Sequence, residues 1–445
     1  MLLPPLLSVR VPTYLAILRR ARFCGKSTRN LSRRNCSSII VFRLDALGDV
    51  VMTTPLFREL KRTFPRSRCT AVVQPAFRSL LLTNPYIDEI LSPPEIRPSC
   101  LPQCVKRLLG ALLLGWKYLR KRRFDIVISP RWDVDGHLAT LLCLLTNATR
   151  RVGYTEKASP LKQRLNRGFD AAFDLCLASA SVKHEVVRNL AVVEALGGTV
   201  QDGSPEVRLT EGDRAFAASL LSCVSSEVKV IALGIGAGAR ARCWPLQCYA
   251  ESISELQRHL QVLPVILCSL AECGQASQLQ KLLNGEAIIL SGTPLRQVCA
   301  VLERCDLFIG NDSGPSHLAA AVDCKTIVVS CHPQSGAPNH SNSPVRFAPY
   351  GENARVLQPA TGLDSCTDHC QVREPHCITA VRVIEVVVAA RAMLSVVPAA
   401  HGHKSAKPSL HHPSQASLAV ILYSPTGSSI VSLLGGTGRG CTNCY

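Results

Sequence analysis

The sequence predicts an α/β protein built from two doubly wound parallel sheets in tandem. Three observations predict it: short, continuously apolar segments of strand length recur along the chain, helix-period segments separate them, and the alternation pauses near residue 201 and restarts near 228. Strands that are apolar along their whole length are covered on both faces, as in a parallel sheet flanked by helices. Two such units leave a cleft between them, and ligands of wound sheets sit beyond the carboxyl ends of the strands. A chain of 445 residues, 47% of them apolar, suits two cores plus extensions.

In the first unit, residues 38–43 form a short apolar run, 50–62 have helical spacing and 69–73 give a second strand, a βαβ beginning. A further strand falls at 124–129. Residues 183–196 are helical and stop at Gly197-Gly198, and 201–206, with Gly203 and Pro205, read as a loop. The second unit supplies strands at 228–233, 264–268, 286–290, 307–309 and 326–330, with helices at 246–260 and 295–304. The expected organisation is a disordered basic extension over 1–37, folded domains over 38–205 and 206–396, and a disordered tail over 397–445, rich in Ser, Gly, His and Pro.

The net charge of +18 comes from 50 basic and 32 acidic residues, but residues 1–38 carry eight Lys or Arg and 397–445 three, neither with an acid, leaving about +7 for the middle. With aromatics at only 5%, the folded part lacks the aromatic-interleaved basic stripe of a nucleic-acid reader, so no nucleic-acid partner is expected. At the N-terminus the positive cluster follows the apolar run, the reverse of a secretory signal, and no run of about 20 apolar residues reads as a transmembrane helix. The amphipathic basic piece at 105–123 reads as a surface helix, with a membrane-facing helix as the alternative. The odd count of 21 cysteines suggests reduced thiols. Cys366, Cys370 and Cys377, with His369 and His376 between them, are spaced by four and seven, which does not match a CxxC pair, so they read as local packing, with a zinc site as the minority alternative.

Four strand-end elbows carry the candidate chemistry. The most informative is at 306–322, where a buried strand ends in Asn311-Asp312-Ser313-Gly314-Pro315-Ser316-His317 and opens at once into a helix. The first amides of a helix lack intrahelical acceptors and lie at the positive end of its dipole, so Ser313, Gly314 and Ser316 offer an anion donors, flanked by Asp312 and His317. An ordinary capped helix start is the alternative. The elbow after the first strand carries Asp45, Gly48 and Asp49; Gly48 permits an unusual backbone, and Asp49 is a candidate general base with Asp45 as its rival, or merely a helix cap. The third, with Gly234, Gly236 and Gly238, resembles a dinucleotide fingerprint only weakly, but Arg240 and Arg242 follow it and can neutralise a diphosphate. The fourth places Glu272 after a strand, as a ribose acceptor or a helix-start carboxylate.

These residues resemble the bacterial lipopolysaccharide heptosyltransferase family, glycosyltransferase family 9. The first elbow with Thr54-Pro55, Phe64-Pro65, 84–90, His184-Glu185, Trp244-Pro245 and 311–317 follow the family's order across residues 38–395. The resemblance implies a GT-B architecture, two Rossmann-like domains facing across a cleft, with acceptor on the first and nucleotide sugar on the second. It implies an inverting transfer of heptose from ADP-heptose to the lipid A-core acceptor at the inner face of the membrane, by a cytoplasmic enzyme. No cofactor or donor-site metal is expected, because the helix dipole and arginine can neutralise the diphosphate, and the basic segments offer a peripheral membrane contact. Asp49 matches the catalytic base, and Arg242, Glu272, Asp312, Ser313, Gly314 and His317 match donor contacts. Two departures stand out: Arg242 replaces the family's usual lysine, and Ser330-Cys331-His332-Pro333-Gln334 with a long loop to Pro349 replaces a Phe-Gly-Pro-Thr turn. A member using another donor sugar, and a non-catalytic sugar-nucleotide-binding protein on the same fold, are the alternatives.

Overall fold

The computed structural model describes residues 35–96, 100–178, 181–363, 366, 372–395, 419–423 and 429–433. The expectations for residues 1–34, for His369 and Cys370, and for most of 397–445 lie outside the described residues.

Six parallel strands make the first sheet: β1 (Ser38–Arg43), β2 (Arg68–Val73), β3 (Glu89–Leu91), β4 (Arg123–Ser129), β5 (Asn147–Tyr154) and β6 (Leu175–Leu177). Their spatial order is β3-β2-β1-β4-β5-β6. The second sheet repeats that order with β7 (Lys229–Gly234), β8 (Val262–Cys268), β9 (Ile288–Ser291), β10 (Leu307–Asn311), β11 (Thr326–Val329) and β12 (Ala354–Leu357), arranged β9-β8-β7-β10-β11-β12 and again parallel. In each sheet the winding reverses between the first and fourth strands, β1 and β4 in one and β7 and β10 in the other. A crevice opens at the carboxyl ends of such a pair, where neighbouring connections leave on opposite faces. The central strands are apolar throughout because helices cover both faces; Ile39, Ile40, Val41, Leu307, Phe308 and Ile309 have no exposed surface.

Strands β3, β5, β6 and β12 escape the apolar-run criterion because they are short, partly exposed or, like β5 with Arg150 and Arg151, charged. Beyond β9 the second sheet gains β13 (Ala419–Tyr423), parallel to β9, and β14 (Ser429–Leu433), antiparallel to β13. These ten residues depart from the disorder expected of the tail. An open sheet edge presents unpaired N–H and C=O groups, and an apolar segment satisfies them.

The expected helix over 50–62 is two helices, α1 (Leu47–Val51) and α2 (Thr54–Thr63). The Thr53 hydroxyl donates to the Asp49 carbonyl at 2.7 Å, and Pro55 in the first turn of α2 has no N–H to continue α1, so the chain re-enters helix on a new axis. α2 buries Leu56, Phe57 and Leu60 and packs on α3 (Glu185–Ala195). Its Arg58 pairs with Asp202 at 2.9 Å and Glu206 at 3.0 Å, which pins the irregular segment 198–210 between the sheets. Leu56, Phe57 and Val193 share one apolar cluster with Val230, Ala232 and Leu318, so the two units also meet through buried hydrocarbon. Among the described residues no helix is long and apolar enough to cross a membrane.

Candidate functional site

At the end of β1 the chain buries a charge. Arg43 has no exposed surface, and its guanidinium lies 3.3 Å from Asp45 and 3.5 Å from Asp49, while Nε donates to the Asp49 carbonyl at 3.2 Å. A buried arginine is tolerated only with such partners. From the end of β4, Arg131 approaches the same two carboxylates, 3.6 Å from Asp45 and 3.4 Å from Asp49. Burial alone would ease the proton off Arg131, but Asp45, Asp49, Asp133 and Glu185 outweigh it and hold the charge. Lys162 fixes the turn that carries Arg131: its ammonium donates to the carbonyls of Arg131, Trp132 and Tyr154 at 3.0–3.1 Å, and burial lowers its pKa to about 8. The other Asp49 oxygen accepts the Ala46 N–H at 3.2 Å, closing the first turn of α1. Asp49 is therefore both a helix-start carboxylate and an oriented one.

The second half of the site forms at β7 and β10. Asn311, fully buried at the end of β10, accepts from the Trp244 N–H at 2.8 Å and the Tyr249 hydroxyl at 3.1 Å and donates to the Ile235 carbonyl at 2.8 Å. It ties the glycine-rich elbow to the strand beside it. Gly236 lies where a Cβ would stand 2.1 Å from Glu272, whereas Gly238 meets nothing and is exposed. Glu272 bonds the Ser269 N–H and hydroxyl at 2.8 Å each, so it closes a capping box while flanking the elbow. The Arg242 guanidinium pairs with the Asp312 carboxylate at 3.0 Å and donates to the Asp312 carbonyl. Burial raises the Asp312 pKa and Arg242 opposes that rise. Arg240 is exposed and pairs with Glu374.

Helix α4 (Gly314–Ala321) starts directly after this elbow with Ser313 as its N-cap, and the Ser313 hydroxyl points back to the Asn311 carbonyl at 3.3 Å instead of capping the helix. The Ser316 N–H bonds the Ser313 carbonyl at 3.1 Å. Of the three amides expected to face an anion, Ser316 is thus engaged within its own turn, and Ser313 and Gly314 stand at the front. His317 is 6% exposed, and burial, helped by repulsion from His184, pushes its pKa down to about 4. At neutral pH it is therefore a neutral imidazole.

The two halves face each other at contact distance. A Cβ on Gly48 would lie 2.6 Å from the His317 ring, and one on Gly314 would lie 2.7 Å from Leu47. Gly48 is therefore needed for close approach; its φ is not among the positive ones, contrary to the expectation of an unusual backbone. Short helix α1, carrying Asp49, and α4, with its positive N-terminus, pack directly on each other across the boundary between the two sheets.

A family model described as glycosyltransferase family 9 (heptosyltransferase) matches residues 114–374, more than half of the chain. The chain belongs to glycosyltransferase family 9. It is 23% identical over 326 residues to the lipopolysaccharide core heptosyltransferase OpsX of Haemophilus influenzae, covering 72% of this chain and 84% of that protein. It is 26% identical over 311 residues to lipopolysaccharide heptosyltransferase 3 of Escherichia coli, covering 69% and 83%. Among solved structures, a family 9 glycosyl transferase from Veillonella parvula superposes with TM-score 0.66 at 20% identity, covering 83% of this chain and 99% of that one. The Escherichia coli ADP-heptose LPS heptosyltransferase II superposes with TM-score 0.58 at 19% identity, covering 80% and 98%. The fold of this glycosyltransferase is GT-B, two Rossmann-like domains facing across a cleft.

One feature of the family 9 enzyme has no counterpart in the residues singled out from its sequence. Arg346, in the long loop after β11, is 1% exposed and reaches into the first domain. It lies 3.0 Å from Glu185 and 3.2 Å from Asp133, and its guanidinium stacks 4.7 Å from the Trp132 ring, whose centroid is also 3.6 Å from Arg188. Glu185 pairs with Arg188 at 2.6 Å. Beside it, the neighbouring His184 bonds the Ala348 carbonyl at 2.8 Å and packs on Tyr350 at 4.9 Å between ring centres. The strand-end rule points to Arg131–Asp133 after β4, since a charged Pro130-Arg131-Trp132-Asp133 turn follows an apolar strand; nothing local marks Arg346. The loop that stands in place of the Phe-Gly-Pro-Thr turn is, at 346–350, an arm fastened to the opposite domain.

Proposed function

We propose that this glycosyltransferase moves a heptose from ADP-heptose to an inner-core sugar of lipopolysaccharide with inversion, with Asp49 as general base, residues 38–205 binding acceptor and 206–396 binding donor. The reading is supported by one observation above the rest: α1, carrying an oriented carboxylate, faces α4, whose N-terminus is suited to a diphosphate, with Gly48 against His317 and Leu47 against Gly314.

The chemistry follows from the charges that develop. As the anomeric carbon loses its leaving group it gains positive character while the nucleoside diphosphate gains negative charge. The Ser313 and Gly314 amides and the Arg242 guanidinium stabilise the diphosphate, with Asp312 holding Arg242 in place. Asp49 takes the acceptor hydroxyl proton as that oxygen attacks from the face opposite the diphosphate, which inverts the centre. Arg43 and Arg131 fix the direction of its carboxylate. Glu272, beside Gly236, suits a ribose hydroxyl. Contact between the domains excludes water that would compete with the acceptor.

Titration calorimetry with ADP-heptose, UDP-sugars and GDP-sugars tests the donor. ADP-heptose is expected to bind at least tenfold more tightly, a difference of about 1.4 kcal/mol, and Arg242→Ala to weaken binding of every nucleoside-diphosphate sugar to a similar degree. Tighter binding of a UDP- or GDP-sugar overturns the assignment, and tight ADP-heptose binding without turnover on any core acceptor favours the sugar-nucleotide-binding alternative.

The same reading puts the enzyme on the cytoplasmic face of the inner membrane. Helix Gln103–Leu114 continues through a wider turn to Leu119 and leaves Leu112, Leu113 and Trp116 exposed beside Lys117 and Arg120. Apolar side chains flanked by cations suit an anionic bilayer surface. Cosedimentation with vesicles containing an anionic phospholipid is expected to fall several-fold in Leu113→Asp/Trp116→Asp, and unchanged cosedimentation removes this face from the proposal.

A further inference from the structure

Between β12 and α5 (Val383–Ser395), Cys366, His376 and Cys377 come together as a knuckle of soft ligands. Cys366 Sγ lies 3.0 Å from His376 Nε2, and these two atoms and Cys377 Sγ all lie within 4.8 Å of one another. Such a cluster could be packing alone, but two further bonds orient it. His376 Nδ1 is 2.8 Å from the Glu374 carbonyl, which can only accept, so Nδ1 carries the proton and Nε2 turns a lone pair toward the sulfurs. The Leu363 N–H points at Cys377 Sγ at 3.4 Å. A ring nitrogen tied to a backbone carbonyl with its partner nitrogen presented is the orienting arrangement of metal-ligating histidines.

We infer that Cys366, His376 and Cys377 bind a single Zn2+ ion. Two sulfurs and an imidazole nitrogen match its preference for tetrahedral thiolate and imidazole sites. Ligand atoms around zinc stand about 3.4–3.8 Å apart, as follows from bond lengths of about 2.3 Å to sulfur and 2.0 Å to nitrogen. To reach that spacing the wider separations, up to 4.8 Å, close by about an ångström while Cys366 Sγ and His376 Nε2, at 3.0 Å, move apart by about half an ångström. Binding converts both thiols to thiolates and releases two protons to solvent, with no change of oxidation state.

The ion's place in the fold gives it a structural task. Glu374, whose carbonyl orients His376, pairs through its side chain with Arg240 of the glycine-rich elbow. Cys377 opens the turn Cys377–Ala380, whose Ile378 is fully buried in the cluster that contains Trp244, and the Val381 carbonyl accepts the Trp244 indole N–H at 3.1 Å. Zinc in the knuckle would brace the elbow from behind, away from the reacting atoms.

Elemental analysis of protein purified under reductant without a metal-affinity step is expected to give close to one zinc per chain. Cys366→Ser/Cys377→Ser and His376→Gln should each reduce it to background. Zinc-edge X-ray absorption on the wild-type protein, independent of whether those variants fold, should report sulfur and nitrogen neighbours together. Wild-type protein that retains no zinc after addition of zinc chloride and gel filtration overturns the inference. So does a zinc content unchanged in the double variant, a Cys366–Cys377 disulfide in protein kept reduced, or a shell of only nitrogen and oxygen or only sulfur.

Discussion

Asp49→Asn is expected to lower sugar transfer by roughly 10²- to 10⁴-fold, the usual contribution of a positioned base, and to leave donor affinity unchanged. Asparagine keeps the shape and an oxygen for the Ala46 N–H but cannot accept the hydroxyl proton. The change also removes one charge beside Arg43, which is fully buried, so a loss of folding has to be separated from a loss of chemistry. Asp45 remains 3.3 Å from Arg43, and the guanidinium therefore keeps a counter-ion. Thermal unfolding of the variant should stay close to wild type. Asp45→Asn is the informative comparison, because the two carboxylates share both arginines and similar burial. They differ in direction: Asp49 acts electrostatically on His317 across the domain boundary. Asp49→Asn should thus cost far more turnover than Asp45→Asn. Retained transfer in Asp49→Asn, with transfer lost in Asp45→Asn, would reassign the base.

The parts of the site that were legible are those encoded by neighbours in sequence. A buried strand running into Asn311-Asp312-Ser313-Gly314 can be read without knowing what lies opposite, because strand burial, helix start and amide donors are all local properties. The same holds for Asp49 after β1. What the sequence hid is whatever depends on a second surface. Gly48 reads as a flexible turn residue, yet its use is to admit the His317 ring from the other domain. Ser316 reads as a third anion donor until the Ser313 carbonyl takes its N–H. Cys366 and Cys377 fail a spacing rule drawn from paired cysteines, while the ring that joins them, His376, is oriented by a carbonyl that no spacing reveals. The edge strands were missed for a related reason: with less burial to satisfy, they carry no continuous apolar signature.

Arg346→Ala is expected to lower the melting temperature and kcat/KM together, because it breaks a buried charge cluster that spans the domains. Arg346 and Glu185 are each 1% exposed, so solvent screening does little to weaken their pairing. Removing one member of a buried pair typically costs about 3–5 kcal/mol, since the other is left uncompensated. Here Arg188 still pairs with Glu185 at 2.6 Å, which places the expected cost at the lower end, about 3 kcal/mol. The loss falls on the closed arrangement in particular. Arg346 belongs to the second domain, whereas Glu185, Asp133 and Trp132 belong to the first, so separating the domains must undo the same contacts that the substitution removes. α1 and α4 touch at Gly48 and Gly314, so a donor bound between them, as proposed, requires the domains to separate for its entry. Among the described residues, Glu185 Oε2 and Arg188 Nε are buried without hydrogen-bond partners, which leaves this cluster short of a fully satisfied network. Small-angle scattering of the variant should show a larger radius of gyration than wild type in the absence of donor, with the difference shrinking when donor is added. Arg346→Lys, which keeps the charge but cannot stack on Trp132 and bond Glu185 through two nitrogens at once, should fall between the two. If Arg346→Ala melts and turns over like wild type and scatters identically, the arm at 346–350 is a passive contact and closure is held by the remaining contacts between the domains, the packing of α1 on α4 and the shared apolar cluster among them.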